Sequence, residues 1–228
     1  MRIENYLNTN KKEVESRKFN IWIGISLGNK YFTKKNIKEY ILWALENTKE
    51  YVAILIADKI HAINYEIRNH YTKQRALQVA LRKGKEIKQS ISKIIRQLPK
   101  EQQKKINILL WKNIENNKEY KSAKKSILQE FKTDPLFHKK IVEISKENTV
   151  FKYNNEEFEK LSSYVLNELP IFIKGVRYKK KLYGLIPYPG LGKIDELTID
   201  LLQGKTFPEL TKKLKINHKI AILEVYVN

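Results

Sequence analysis

Short apolar runs and longer amphipathic stretches alternate along this 228-residue chain. Residues 20 to 26, Asn-Ile-Trp-Ile-Gly-Ile-Ser, are too few for a helix and rich in β-branched side chains, which predicts a strand buried on both faces. Leu27-Gly28-Asn29 predicts a turn, and Thr33 a cap for a helix through about Asn47, with Ile37, Ile41, Leu42 and Leu45 at helical spacing. A second apolar run from Tyr51 to Ala57 stops at Asp58 and predicts another buried strand. Strand, helix and strand make a βαβ unit, whose ligands bind beyond the carboxyl ends of the strands, where Ser26 and Asp58 stand.

Between about Tyr65 and Leu98 the apolar residues Leu77, Leu81, Ile87, Ile91, Ile94 and Leu98 recur mostly every three or four positions, predicting one long amphipathic helix over about 65–98 that Pro99 stops. A third strand is expected at Ile106 to Trp111, then helices at 118–131, 134–148 and 155–167, the last ending at Leu169-Pro170. Leu182 to Tyr188 predicts a strand ending in Pro189-Gly190, Ile194 to Gln203 a helix, and His218 to Val227 a closing strand. With no internal repeat or low-complexity linker, this order predicts a single α/β domain over 1–228, its sheet mostly parallel and flanked by helices.

Composition narrows the function. The 45 Lys and Arg against 25 Asp and Glu leave a net charge of +20. An AT-rich genome would account for abundant Lys, Asn and Ile, but not for the shortage of acids, so a polyanionic partner is expected, nucleic acid before acidic membrane. Twelve basic residues between Arg68 and Lys105 face only Glu86 and Glu101. Among them Arg75, Arg82, Lys85, Lys93 and Arg96, spaced by 7, 3, 8 and 3, share one helical face suited to a phosphate backbone. The absence of Cys excludes disulfides, zinc-thiolate sites, iron-sulfur clusters and thiol nucleophiles. No run reaches the roughly 18 apolar residues that would span a bilayer, so no membrane partner is expected, and the N-terminus lacks a secretory pattern. A cytoplasmic monomer is the expectation.

Three motifs could carry chemistry. Gly24-Ile25-Ser26-Leu27-Gly28 fits G-x-S-x-G, the nucleophile elbow of serine hydrolases. That elbow normally follows several strands, whereas Ser26 ends the first strand expected in the chain, and none of His61, His70, His138 and His218 is marked as a triad base. Ser26 is retained as a candidate nucleophile without the hydrolase. Tyr164 and Glu168 are four residues apart on one helical face, where a buried carboxylate could hold an ammonium and the phenol could bond the same ligand. Tyr188, between Pro187 and Pro189, lies at the same predicted sheet edge as Ser26.

Together, Gly24-Ile25-Ser26-Leu27-Gly28-Asn29-Lys30-Tyr31-Phe32, Trp43-Ala44, Tyr164-x-x-x-Glu168-x-Pro170 and Tyr188 resemble the cyclodipeptide synthases, which make diketopiperazines from aminoacyl-tRNAs. The resemblance covers nearly the whole chain and implies a Rossmann-like fold similar to the catalytic domain of class Ic aminoacyl-tRNA synthetases, without their ATP signatures. It implies that Ser26 takes the first aminoacyl group, that Tyr164 and Glu168 hold its amino group, that Tyr188 assists beside the serine, and that neither cofactor nor metal is needed. It also implies a first pocket formed by Trp22, Gly24, Leu55 or its neighbour Ile54, Trp111, Ile171 and Ile186. Two inward-facing tryptophans would leave room for a small amino acid, unless one turns to the opposite side of the strand with Ile21 and Ile23. Asn29 matches one subfamily, while Pro189 matches the other. The competing expectations are an RNA-binding protein without catalysis and a serine hydrolase.

Overall fold

The apolar runs build the centre of one sheet. The computed structural model describes residues 1–147, 149, 152–216 and 218–227. In chain order its elements are β1 (Arg2–Leu7), α1 (Lys11–Glu15), β2 (Ile21–Ser26), α2 (Lys34–Asn47), β3 (Val52–Ala57), α3 (Ala62–Asn69), α4 (Lys73–Arg96), α5 (Lys100–Lys104) and β4 (Ile106–Leu110). There follow α6 (Lys118–Thr133), α7 (Pro135–Glu147), α8 (Asn155–Lys174), β5 (Val176–Tyr178), β6 (Lys181–Tyr183), β7 (Leu185–Tyr188), α9 (Lys193–Leu202), α10 (Pro208–Leu214) and β8 (Ala221–Tyr226). The main sheet runs β1-β8-β7-β2-β3-β4, parallel throughout except for β1, which is antiparallel to β8. The chain is thus a single α/β domain with helices on both faces of a mostly parallel sheet.

Strand alternation sorts side chains between two cores. Trp22, Leu55, Ile186 and Ile222 face one way with residues of α6 to α9, while Ile21, Ile23, Ile25 and Ile54 face the other with α2 and α4. From β2 the chain steps outward through β3 to β4, then returns to place β7 and β8 on the other side of β2. This reversal of strand order opens a crevice at the carboxyl ends of β2 and β7, the usual ligand position in such sheets.

Several elements depart from the sequence expectation. The long helix over 65–98 is broken: α3 ends at His70, which has a left-handed backbone with φ of 50°, and Thr72 starts α4 by accepting a hydrogen bond from the Arg75 N–H. The expected strand from Leu182 is divided at Gly184 into β6, which forms a hairpin with β5, and β7, which enters the main sheet. The expected helix end at Pro170 is overrun, because α8 continues to Lys174 with Leu169 to Ile173 all buried. Their burial offsets the hydrogen bond that proline removes. Trp111 leaves the third strand for a single 3-10 turn. The expected helix end at Asn148 lies outside the described residues. β1 was not expected, since an edge strand reading Arg-Ile-Glu-Asn-Tyr-Leu carries a bulge at Ile3 to Asn5 and no apolar run.

Helix α4 approaches the sheet through a row of small buried residues, Ala76, Ala80 and Gly84. A Cβ on Gly84 would lie 2.4 Å from Cβ of Asp58, the buried residue after β3 whose Oδ1 accepts the Trp111 backbone N–H at 2.9 Å. Alanine gains about 1 kcal/mol of helix propensity. The clash is with an atom fixed to backbone, however, and such overpacking costs about 1–3 kcal/mol. Gly84→Ala is therefore expected to lower the urea midpoint. An unchanged or raised midpoint would show that α4 is free to move away from β3.

Candidate active site

Ser26 stands at the carboxyl end of β2, where the apolar run that makes the strand gives way to a tight turn. Gly28 has φ of +80°, a left-handed conformation that favours glycine, and nothing within 4 Å would crowd a side chain there, so the backbone itself makes the demand. Asn29 closes the turn by accepting the Tyr31 N–H on its side-chain oxygen at 2.9 Å. Directly across the crevice, Tyr188 at the end of β7 brings its hydroxyl to 3.4 Å from Ser26 Oγ. The two strands pair at Ile21 and Leu185, so both side chains project from the same edge of the sheet.

The third wall is α8. Tyr164 and Glu168, one turn apart, face into the crevice, with the Tyr164 hydroxyl in hydrogen-bonding reach of both Ser26 and Glu168. Both side chains are half-buried at the crevice but surrounded by protein. Removal from water pushes the Glu168 carboxyl up from 4.5 to about 8; the Tyr164 hydrogen bond opposes this and the Asp195 carboxylate adds to it. Burial and then the charge of Glu168 raise Tyr164 well above 10. Tyr188 is also raised, chiefly by burial, against hydrogen bonds from Ser26 and Asn29. No Lys or Arg among the described residues forms an ion pair with Glu168. The site therefore holds a partly desolvated carboxyl near the Ser26 hydroxyl, an arrangement that favours a bound cation.

Below Ser26 on the same face of β2 lie Gly24 and Trp22. Trp22, Leu55, Trp111, Ile171 and Ile186 all belong to one apolar cluster, and Ile54 belongs to the opposite one, so Leu55 is the β3 residue on this side. A Cβ on Gly24 would lie 3.1 Å from the Trp22 six-membered ring, so glycine lets the indole lie along the strand. Trp22 packs edge-on against Phe172 at 5.8 Å, and Trp111 edge-on against Tyr120 at 6.1 Å. The buried Nε1 of Trp22 has no hydrogen-bond partner among the described residues. Pro189 follows Tyr188 at the crevice rim, half-buried. Arg75, Arg82, Lys85, Lys93 and Arg96 are all exposed on α4, behind the opposite face of the sheet.

Two neighbours escaped the sequence reading. His61, just past β3, packs edge-on against Tyr164 at 6.0 Å, and burial with the charges of Lys83 and Arg68 lowers it to about 4. Asp195 at the start of α9 accepts the Gly192 N–H at 2.9 Å and is raised to about 6, mainly by burial. No spacing signal links either to Ser26. By contrast Asp58, expected at the ligand edge, is committed to the Trp111 backbone.

A family profile described as cyclodipeptide synthase matches residues 6–191. A cyclo(L-leucyl-L-leucyl) synthase of Staphylococcus haemolyticus is 25% identical over 182 residues, 74% of each chain. The solved cyclodipeptide synthase from that organism superposes with a TM-score of 0.75 at 21% identity, covering 96% of this chain and 98% of its own. A Mycobacterium tuberculosis protein whose structure relates cyclodipeptide synthetases to type I tRNA synthetases gives 0.69 at 18%, over 86% of each chain. The cyclodipeptide synthase of Candidatus Glomeribacter gigasporarum, solved with Phe-tRNA, gives 0.56 at 11%, over 91% and 88%.

The raised Glu168 carboxyl has a consequence for stability. Between 4.5 and about 8 the folded chain keeps a proton that the unfolded chain has lost, so Glu168 makes folding less favourable as pH rises through that window. Glu168→Gln removes this dependence, while Asp195 acts equally in both proteins. The melting temperature of the variant relative to wild type is expected to climb by more than ~2 °C between pH 5 and 8 and then level off. A difference independent of pH would contradict the burial of an unpaired carboxyl.

Proposed function

The chain belongs to the cyclodipeptide synthase family and uses aminoacyl-tRNAs as substrates, and from this premise we propose ping-pong transfer through an aminoacyl ester on Ser26. The observation that supports the reading is the Ser26 to Tyr188 approach of 3.4 Å, opposite Tyr164 and Glu168.

An aminoacyl-tRNA is already an activated ester, so the chemistry requires a positioned hydroxyl and a proton path rather than ATP or a metal. Ser26 Oγ attacks the ester carbonyl, the bond to the ribose oxygen breaks, and the proton from Ser26 passes to that leaving oxygen, with Tyr188 assisting beside it. Meanwhile the ammonium of the bound aminoacyl group rests against Glu168 and Tyr164, which orients the carbonyl over Ser26. One ester replaces another, so little free energy is lost. The amine of a second aminoacyl-tRNA then attacks the Ser26 ester, forming a peptide bond and freeing the serine. Finally the amine of the first residue, giving its proton up through Tyr164, attacks the remaining tRNA ester; the amide bond closes the ring as the bond to the ribose oxygen breaks, and the second tRNA leaves with that oxygen protonated. Asn29, in hydrogen-bonding reach of Tyr188, would hold that phenol, and Pro189 would stiffen its strand end. The exposed basic face of α4, Arg75, Arg82, Lys85, Lys93 and Arg96, would receive the first tRNA. The scheme requires one chain only and runs in the cytoplasm, where its substrates are.

Trp22, Gly24, Leu55, Trp111, Ile171 and Ile186 would line the first aminoacyl pocket. With both indoles on the side of Ser26 and each at most 2% exposed, the remaining room suits alanine or glycine. A leucine-sized group, which the staphylococcal relative's name implies for its products, would require an indole to move.

Two measurements test these proposals. Intact-protein mass after mixing with a cognate aminoacyl-tRNA should show one added aminoacyl group, absent in Ser26→Ala, whose product formation falls by about 10² or more. Full product formation by Ser26→Ala would rule out the serine ester. Products of the wild type should contain a small residue, and Trp22→Leu or Trp111→Leu should admit larger ones. A wild type making mainly leucine or phenylalanine rings would refute the small pocket.

A further inference from the structure

On the far side of α8 from Ser26, α6 carries a surface groove of about 440 Å³. Its walls include Glu115, Tyr120, Lys121, Lys124, Lys125 and Lys132. The one acid named there, Glu115, is already bound by Lys59 at 2.6 Å, and Lys59 lies just past the carboxyl end of β3, on the Ser26 edge of the sheet. Lys121, Lys125 and Lys132 are exposed, and among the described residues none joins an ion pair. Four lining lysines beside one neutralised carboxylate give the groove a strong positive charge. A face needed only for solubility would ordinarily interleave acids at i to i+4 spacing, as α8 does with Glu156 and Lys160.

The groove is also tied to the active site. Lys124 Nζ donates to Asn167 Oδ1 at 2.6 Å, and the Tyr120 hydroxyl donates to the Asn167 carbonyl at 3.1 Å. Asn167 immediately precedes Glu168, and the other edge of Tyr120 packs on Trp111. The groove thus continues outward from the wall holding Glu168, and it lies in the layer opposite α4.

We propose that the lysine groove of α6 binds the phosphate backbone of the second aminoacyl-tRNA, leaving the α4 face to the first. The proposal rests on the acyl-serine reading. Once the first aminoacyl group fills the pocket among Trp22 and Trp111, the second must bring its amine to the Ser26 carbonyl from elsewhere. The groove provides a charged approach on the α8 side, with phosphates replacing the counterions that its lysines otherwise attract. Separate surfaces also let the second substrate dock before the spent tRNA leaves α4.

The test follows the two half-reactions separately in the triple variant Lys121→Ala, Lys125→Ala, Lys132→Ala. With labelled aminoacyl-tRNA at low enzyme saturation, its rate of Ser26 acylation should match wild type within twofold. When the isolated acyl-enzyme then meets a second aminoacyl-tRNA, the concentration giving half-maximal product release should rise tenfold or more. The log-log salt slope of that step should fall by about 0.9 for each duplex phosphate that the variant no longer neutralises. A paired reversal on α4, such as Arg82→Glu with Lys85→Glu, should instead slow acylation. An unchanged second step, or equal slowing of both, would overturn the proposal. So would an unchanged second step accompanied by lost binding to phosphatidylglycerol vesicles, which would assign the groove to a membrane surface. If wild-type enzyme takes no label at all, it is the acyl-serine reading that fails. The groove is then judged by steady-state product formation, where an unaffected KM for aminoacyl-tRNA in the triple variant overturns it.

Discussion

A half-buried carboxyl with no Lys or Arg paired to it among the described residues stands at the crevice end of this sheet. Glu168 cannot ionise cheaply where it stands, and its pKa near 8 expresses that cost. Tyr164 stands one turn before it on the same wall, Tyr120 and Lys124 fasten the preceding residue of α8, and Asp195 adds a second buried acid from α9. The arrangement is stable only because α8 is held on both sides by apolar packing that runs through Pro170 to Ile173. On the proposed mechanism an arriving ammonium would compensate that carboxyl, so substrate binding and charge compensation would be one event. In that scheme the held ammonium would orient the ester carbonyl over Ser26.

The reversal of strand order supplies the geometry. Side by side in one sheet, β2 and β7 deliver Ser26 and Tyr188 to the same crevice, although 162 residues separate them in the chain. The packing of Gly84 onto Asp58 keeps α4 close to β3, and Asp58 in turn anchors the start of the turn that carries Trp111. A contact on one face of the sheet thereby fixes the pocket wall on the other. The exposed lysines and arginines of α4 lie outside this frame, where charge matters more than exact position.

How much was legible in the sequence follows from how local each signal is. The β2 and β3 runs, the cap at Thr33 and the placement of Ser26 at a strand end are set by adjacent residues, and the structure has them there. Tyr164 and Glu168 were visible as a spacing, but their burial was not, because it depends on β2, β7 and α9 closing around them. His61 and Asp195 carried no signal for the same reason. Pro170 misled because a breaker rule describes an isolated helix, and buried Ile171, Phe172 and Ile173 outweigh one missing hydrogen bond. The break at His70 was missed because Leu77 and its successors keep helical spacing on one side only, and nothing before Thr72 declares the left-handed turn. The tryptophans could have faced either core; alternation along β2 put Trp22 with Ser26.

We propose that Glu168 stays uncharged until a substrate ammonium arrives. The direct measurement is a carbon-13 NMR titration of the Glu168 carboxyl, assigned with Glu168→Gln, in the free chain and with an amide-linked aminoacyl adenosine bound. A midpoint near 8 is expected in the free chain, falling by more than ~1 unit when the amine is in place. A free-chain midpoint at the ordinary 4.5, or one that the ligand leaves unmoved, would contradict it.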